Sequence, residues 1–181
     1  MSESLDLDLP TSGDVVDLIL ADHRRFEQLL RLLRDSSADR AAVREVFSTL
    51  HVAHAEAEEK CVYPTLRKKD AISEHEAEHG EEEHAEGNQA LLDVLEADAV
   101  DGEAFDELVE KLATAVNHHL TEEELTILNP AREEVDDQVR RRLGEAFATA
   151  RNAAIDADCG RIDNLRTIVE RAKEAGLLDE G

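Results

Sequence analysis

Tryptophan is absent from this chain of 181 residues, aromatic residues make up only 3%, and there are three prolines, eight glycines and two cysteines. Cys61 and Cys159 are too few for the disulfide framework of a small secreted domain. Sparse proline and glycine leave few turn signals, which excludes a sandwich or barrel of short strands. No run approaches the roughly 18 apolar residues that a membrane span requires. Positive charge is scarce too: 20 Lys and Arg against 44 Asp and Glu give a formal net charge of −24. Phosphate binding needs a basic footprint, so nucleic acid is not an expected partner. Met1 to Leu9 are acidic and carry neither a basic n-region nor an apolar h-region. The expected location is therefore the cytoplasm, away from membranes.

What is present is aliphatic and helical. Hydrophobic residues make up 41%, enough to fold one domain around Leu, Val, Ile and Ala despite the charge. Residues 1–13 read as a polar lead-in. Asp14 caps a helix whose inward stripe is Val16, Ile19, His23, Phe26, Leu30 and Leu33, at steps of three and four. Asp39 caps a second helix with the stripe Val43, Phe47, Leu50, His54, Glu58 and Cys61, ending or kinking at Pro64. A charged connector from Arg67 to Ser73 leads to a third helix with Ala77, Glu81, His84, Asn88, Leu91 and Leu95 on one face. After a turn at Ala97 to Gly102, a fourth carries Leu108, Leu112, Ala115 or Val116, His119, Glu123 and Ile127, stopping near Pro130. These lengths and connectors predict an all-α, up-down-up-down antiparallel four-helix bundle over residues 14–131. Residues 132–181 add C-terminal helices on Val135, Val139, Leu143 and Phe147, then on Leu165, Ile168, Val169 and Ala172. They cover a bundle face or form a dimer contact, so the chain is expected to be a monomer or homodimer.

All eight histidines fall between His23 and His119. Each bundle helix places one on its apolar stripe, and His54 with Glu58 and His119 with Glu123 stand about 40° apart on one helical face. One such histidine is an ordinary core residue hydrogen-bonded to a carbonyl. Four of them with two carboxylates, and no Lys or Arg on the inner stripes, are different. Buried carboxylates without positive partners cost several kcal/mol each, and metal cations would neutralise them. Imidazole mixed with bridging carboxylate suits paired iron, or less well manganese, over calcium or structural zinc.

The run Asp22-His23, His54-x-x-x-Glu58-Glu59 with Tyr63-Pro64, Glu83-His84, and His118-His119-x-x-Glu122-Glu123-Glu124 resembles the hemerythrin-like, HHE cation-binding family over about residues 14–131. The resemblance implies a four-helix bundle holding a non-haem di-iron centre with oxo, hydroxo or water bridges. It implies His23, His54, His84 and His119 as terminal ligands and Glu58 and Glu123 as bridges. Oxygen-carrying members have a further histidine where this chain has Gly80, so Glu81 or water would take that place, which disfavours reversible oxygen carriage. Glu124 is the alternative to Glu123, at the five-residue spacing of the carriers. His51 borders the inner face and His79 reaches it only through a kink at Gly80, whereas His75 and His118 point away. Tyr63 closes the bundle with Pro64, or donates a hydrogen bond or quenches radicals beside the metals. Cys61 reads as a small core residue.

The expected function is a di-iron protein that binds or reacts with a small oxidant, peroxide before oxygen or nitric oxide, with catalase-like activity if it is an enzyme. The alternative is non-catalytic oxygen binding or iron and redox sensing.

Overall fold

The structure, a computed structural model, describes residues 5–179. Its regular elements, among the described residues, are all helical: α1 (Val15–Arg34), α2 (Arg40–Ala57), a π-helical turn π1 (Glu58–Val62), α3 (Tyr63–Lys68), α4 (Glu74–Glu96), α5 (Glu103–Glu123), a second π turn π2 (Glu124–Leu128), α6 (Asn129–Glu134), α7 (Asp137–Asp156) and α8 (Ile162–Glu174). Because α2, π1 and α3 run on as one rod, as do α5, π2 and α6, the fold consists of six rods. None of these helices is long and apolar enough to cross a membrane.

Side-chain oxygens start most of the rods by satisfying first-turn amides that lack intrahelical partners. Asp14 accepts from the Val16 amide at 2.9 Å and Asp39 from Ala42 at 3.1 Å. Ser73 and Glu76 form a reciprocal capping box on α4, and Asp136 caps α7. Along α1 all six expected stripe residues are buried. The expected stripe of α5 and π2 is buried from Leu112 onward and differs only at its first member: Val109 is buried, whereas Leu108 packs against the core edge.

Sequential neighbours α1, α2, α4 and α5 pack against one another, and α5 returns to α1, closing the four-helix ring. Outside it, α7 lies along α1 and α2, and α8 along α4. The interior divides into two apolar clusters. One contains Phe26, Phe47, Leu50, Leu91, Phe105 and Leu165, the other Ile19, Tyr63, Leu66, Ile127 and Phe147. Burying each such phenylalanine or leucine stabilises the fold by roughly 1.5–3 kcal/mol. His23, His54 and His84 fall between the clusters on their helices and His119 lies at the end of the first cluster on α5, so the four form a polar layer where the two dry ones meet.

Neither Pro64, where a kink or a stop was expected, nor Pro130, where a stop was expected, ends its rod. A proline inside an α-helix removes one amide and collides with the carbonyl four residues back. Here the π turn widens the backbone just before each proline. The Tyr63 amide bonds to the Glu58 carbonyl, and the Asn129 amide to the Glu124 carbonyl, both five residues back. The helix therefore continues through Arg67 and Lys68, where a connector was expected.

Candidate metal centre

The inward stripes bring six side chains together in two groups that share one carboxylate. His23, His54, Glu58 and Glu123 offer ligand atoms within 4.8 Å of one another, as do Glu58, His84 and His119; all are buried. Glu58 Oε1 lies 3.0 Å from His54 Nε2, and its Oε2 lies 3.1 Å from His84 Nε2. Glu123 Oε2 lies 3.1 Å from His23 Nε2 and 3.6 Å from His119 Nε2. Each carboxylate thus faces one imidazole from either half of the site.

The outer edges of the imidazoles follow one rule. His23 Nδ1 faces Glu124 at 2.8 Å, His54 Nδ1 faces Asp22 at 3.0 Å, His84 Nδ1 faces Glu59 at 2.8 Å and His119 Nδ1 faces Glu83 at 3.0 Å. An Nδ1–H donated outward to a carboxylate leaves the Nε2 lone pair inward, the arrangement that fixes tautomer and ring orientation around a metal. All four carboxylates neighbour inward residues in sequence but serve a histidine on another helix, because the next residue stands about 100° around the helix and faces the adjacent one.

The inward atoms are left over. His54 Nε2, His84 Nε2, His119 Nε2 and both oxygens of Glu58 are buried without a hydrogen-bond partner; their close approaches lack hydrogen-bond alignment. Burying so many polar atoms without partners costs about 1–3 kcal/mol apiece. Cations between them would satisfy all at once, so this donor set of nitrogen and carboxylate oxygen fits a metal site.

Electrostatics among the protein's own groups agree. Burial disfavours the charged form of His54, but Glu58 and Asp22 outweigh it and lift its pKa to about 10. His84 is pulled down by burial and raised by Glu58 and Glu59, again to about 10. Burial pushes the Glu58 carboxyl up, and His54 and His84 pull it further down, well below the usual carboxylate range. Protons on imidazole therefore occupy the electrostatic role that metal charge would take over.

Tyr63 belongs to the site. Its hydroxyl donates to Glu123 Oε1 at 3.0 Å, and its ring stacks on His84 with centroids 5.8 Å apart and planes 6° apart. Burial and the neighbouring Glu123 and Glu58 push the phenol pKa well above its ordinary value, so it stays protonated as a donor. A regular α-helix would put Tyr63 about 140° around from Glu58; the five-residue π turn stacks it beneath instead.

The remaining expectations sort clearly. Glu81 falls in neither group: it is only partly buried and lines a cleft of about 320 Å³ with Glu59, Asn88, Ile168 and Arg171. Glu83, one position from His84, is the buried carboxylate of α4. His51 is buried against Gly87, donates from Nδ1 to Asn88 Oδ1 at 3.1 Å and stacks on Phe47. Burial first, then the three nearby histidines, lowers its pKa to about 3, so it is a neutral core group. His79 and His118 are exposed and touch the outer side of Glu83 at 3.4 and 3.2 Å. Glu124 contacts the outer edge of His23 and not the shared interior. Cys61 is turned by π1 to the boundary with α7, half-buried with Sγ near the Ala146 carbonyl.

Of the C-terminal helices, expected to cover a bundle face or form a dimer contact, α7 also reaches the edge of the site. Arg151 of α7 is buried and forks onto Asp22, the partner of His54. No signal in the sequence near His54 points to it.

Comparison with known proteins agrees with this geometry. Residues 14–131 match the hemerythrin HHE cation binding domain. A protein from Nostoc sp. (strain PCC 7120) described as a DNA nickase is 27% identical over 142 residues, covering 77% of this chain and 39% of that protein. The chain thus spans about two fifths of the length of this curated relative. No solved structure matches the chain significantly. With the match running through all four bundle helices and both buried His/Glu groups, the chain belongs to the hemerythrin HHE cation-binding family and is a metal-binding protein.

Proposed function

We propose that the centre holds a pair of non-haem iron ions and that the protein binds and reacts with a small neutral oxidant, hydrogen peroxide before oxygen or nitric oxide. The observation that carries this reading is Glu58: fully buried, with both oxygens lacking hydrogen-bond partners and each facing a different histidine. One carboxylate so placed suits two cations and is wasted on one. His23, His54, Glu58 and Glu123 would hold the first ion, and Glu58, His84 and His119 the second, with Glu123 reaching toward it. Imidazole and carboxylate donors favour iron, with manganese second.

When bound, such a pair supplies two-electron redox chemistry at one locus. The protein's own groups do the rest. The two apolar clusters above and below the polar layer exclude bulk water. Tyr63 holds a proton at its hydroxyl beside Glu123, where a reduced oxygen species would need one. The three-residue group is the less completely ligated, and His84 of that group lies under the Tyr63 ring. Peroxide disproportionation needs no external donor, since one peroxide is oxidised to oxygen while a second is reduced to water.

Nucleic acid is not a proposed partner, because a net charge of −24 repels phosphate. We place the protein in the cytoplasm, as monomer or homodimer.

The test is metal content per chain on protein from iron-supplied cells, together with oxygen release from added peroxide. Roughly two irons per chain with oxygen release are expected. A folded chain that holds no metal, and takes up no ferrous iron anaerobically, overturns the reading. Iron without turnover overturns the enzymatic part and leaves oxygen binding or sensing.

A further inference from the structure

α7 lies outside the four-helix ring, yet its Arg151 is 3% exposed. Arg151 Nε donates to Asp22 Oδ2 at 2.7 Å and Nη2 donates to Asp22 Oδ1 at 2.8 Å. This two-pronged grip on a carboxylate is one that a guanidinium makes and an ammonium does not. The same Oδ2 accepts from His54 Nδ1 at 3.0 Å. One turn earlier on α7, Phe147 meets the His54 ring edge-on with centroids 5.8 Å apart. The remaining guanidinium nitrogen, Nη1, donates to the Asp8 carbonyl and the Asn152 side chain, and Asn152 in turn bonds the Pro10 carbonyl.

A carboxylate rotates about its last carbon–carbon bond, and the Arg151 fork removes that freedom for Asp22. With Oδ2 fixed, the Nδ1–H of His54 has one direction to donate in, and Phe147 holds the ring plane. His54 Nε2 is then held on the inner side of the ring, 3.0 Å from Glu58 Oε1. Of the four carboxylates on the outer edges, Asp22 is the one gripped by a buried guanidinium. Glu59 and Glu124, by contrast, have side chains 40% and 47% exposed.

We propose that Arg151 is a positioning residue of the metal centre: through Asp22 it sets the orientation of His54, so that α7 is part of the site's construction and not only a cover. The proposal rests on the metal reading above in that His54 must take a metal ion.

The full chain would be compared as wild type, Arg151→Met, Arg151→Lys, Asp22→Asn, the Asp22→Asn/Arg151→Met double variant and Asn152→Ala. Ferrous iron affinity is read anaerobically against a chromogenic chelator, and the visible spectrum is read after oxidation. Loss of a partner behind a metal-binding histidine lowers affinity about 10–100-fold. Arg151→Met is expected to show such a loss with a shifted spectrum, and Arg151→Lys a smaller one. The double variant is expected to lose no more than Asp22→Asn alone. Asn152→Ala, which loosens the same N-terminal segment without touching Asp22, is expected to keep wild-type affinity and spectrum. If Arg151→Met does not fold, the double variant, which buries no lone charge there, carries the comparison. Arg151→Met with wild-type affinity and spectrum overturns the proposal while leaving the metal reading intact. So does a double variant whose loss is the product of the two singles, or an equal loss in Asn152→Ala. A wild type that takes up no iron overturns both.

Discussion

Gly80 of α4 and Tyr63 of α3 compete for one volume: a Cβ built on Gly80 would lie 2.8 Å from the Tyr63 hydroxyl and 3.0 Å from its ring. The family resemblance puts the further histidine of oxygen carriers at Gly80, and in this structure Tyr63 fills that room. Gly80→Ala should therefore destabilise the protein by about 1–3 kcal/mol through overpacking. In a Tyr63→Ala background the sign should reverse, since alanine exceeds glycine by about 1 kcal/mol in a helix interior. Thermal unfolding of the two single variants and the double variant reads both signs; an unchanged sign would show that the tyrosine is not what glycine accommodates.

Removing ligand atoms should separate buried from exposed histidines. His54→Ala and Glu58→Gln should leave the chain with little or no bound metal by plasma mass spectrometry. His75→Ala, on the exposed face of α4 and stacked on His79, should load as the wild type does.

On the proposed reading of the centre, metal and protons compete for His54 and His84. In the metal-free protein each has a folded pKa of about 10, above its ordinary 6.5. A raised folded pKa contributes stability that is full below the unfolded value and is lost as pH rises through the folded one. The chelated protein should thus lose stability steadily between about pH 6.5 and pH 10. The loaded protein should lose less over that window, because its imidazoles have already given up their protons. Metal uptake near neutral pH should release about two protons per chain, measurable in weakly buffered solution.

Tyr63→Phe removes the donor to Glu123 Oε1 and nothing else. Leaving a buried carboxylate oxygen without that bond should cost about 1–3 kcal/mol. Iron content should stay at the wild-type level while the rate of peroxide consumption falls. Loss of iron instead would make Tyr63 part of the metal-holding set.

Gly144 marks where α7 seats on the N-terminal segment. A Cβ there would collide with the Gly13 carbonyl, which is backbone and cannot step aside. Gly144→Ala should lower the melting temperature by several degrees, with a cost of about 2 kcal/mol or more.

Much of this was legible in the sequence wherever an interaction stays on one helix. The α1 stripe and the four inward histidines follow from a 3.6-residue period, and the Asp14 and Asp39 caps from the side chain's ability to accept first-turn amides. The outer carboxylates were not readable as such, because each serves a different helix from its sequence neighbour: Asp22 precedes His23 but holds His54, and Glu83 precedes His84 but holds His119. Arg151 lies 129 positions from its carboxylate, and no local pattern spans that distance. Cys61 was misplaced for a third reason: it lies within π1, where a uniform 100° step no longer gives the face, and the same turn decides between the two readings of Tyr63 in favour of the hydrogen-bond donor.

A helix has an angular frame as a gene has a reading frame, and π1 changes it with one surplus residue. Everything from Tyr63 to Lys68 is presented to the bundle in the shifted frame, including Leu66, which is fully buried. Deleting one position among residues 59–62 would restore α-helical spacing and turn that segment by about 100°. Tyr63 would swing away from Glu123, and the space before Gly80 would open to a larger side chain.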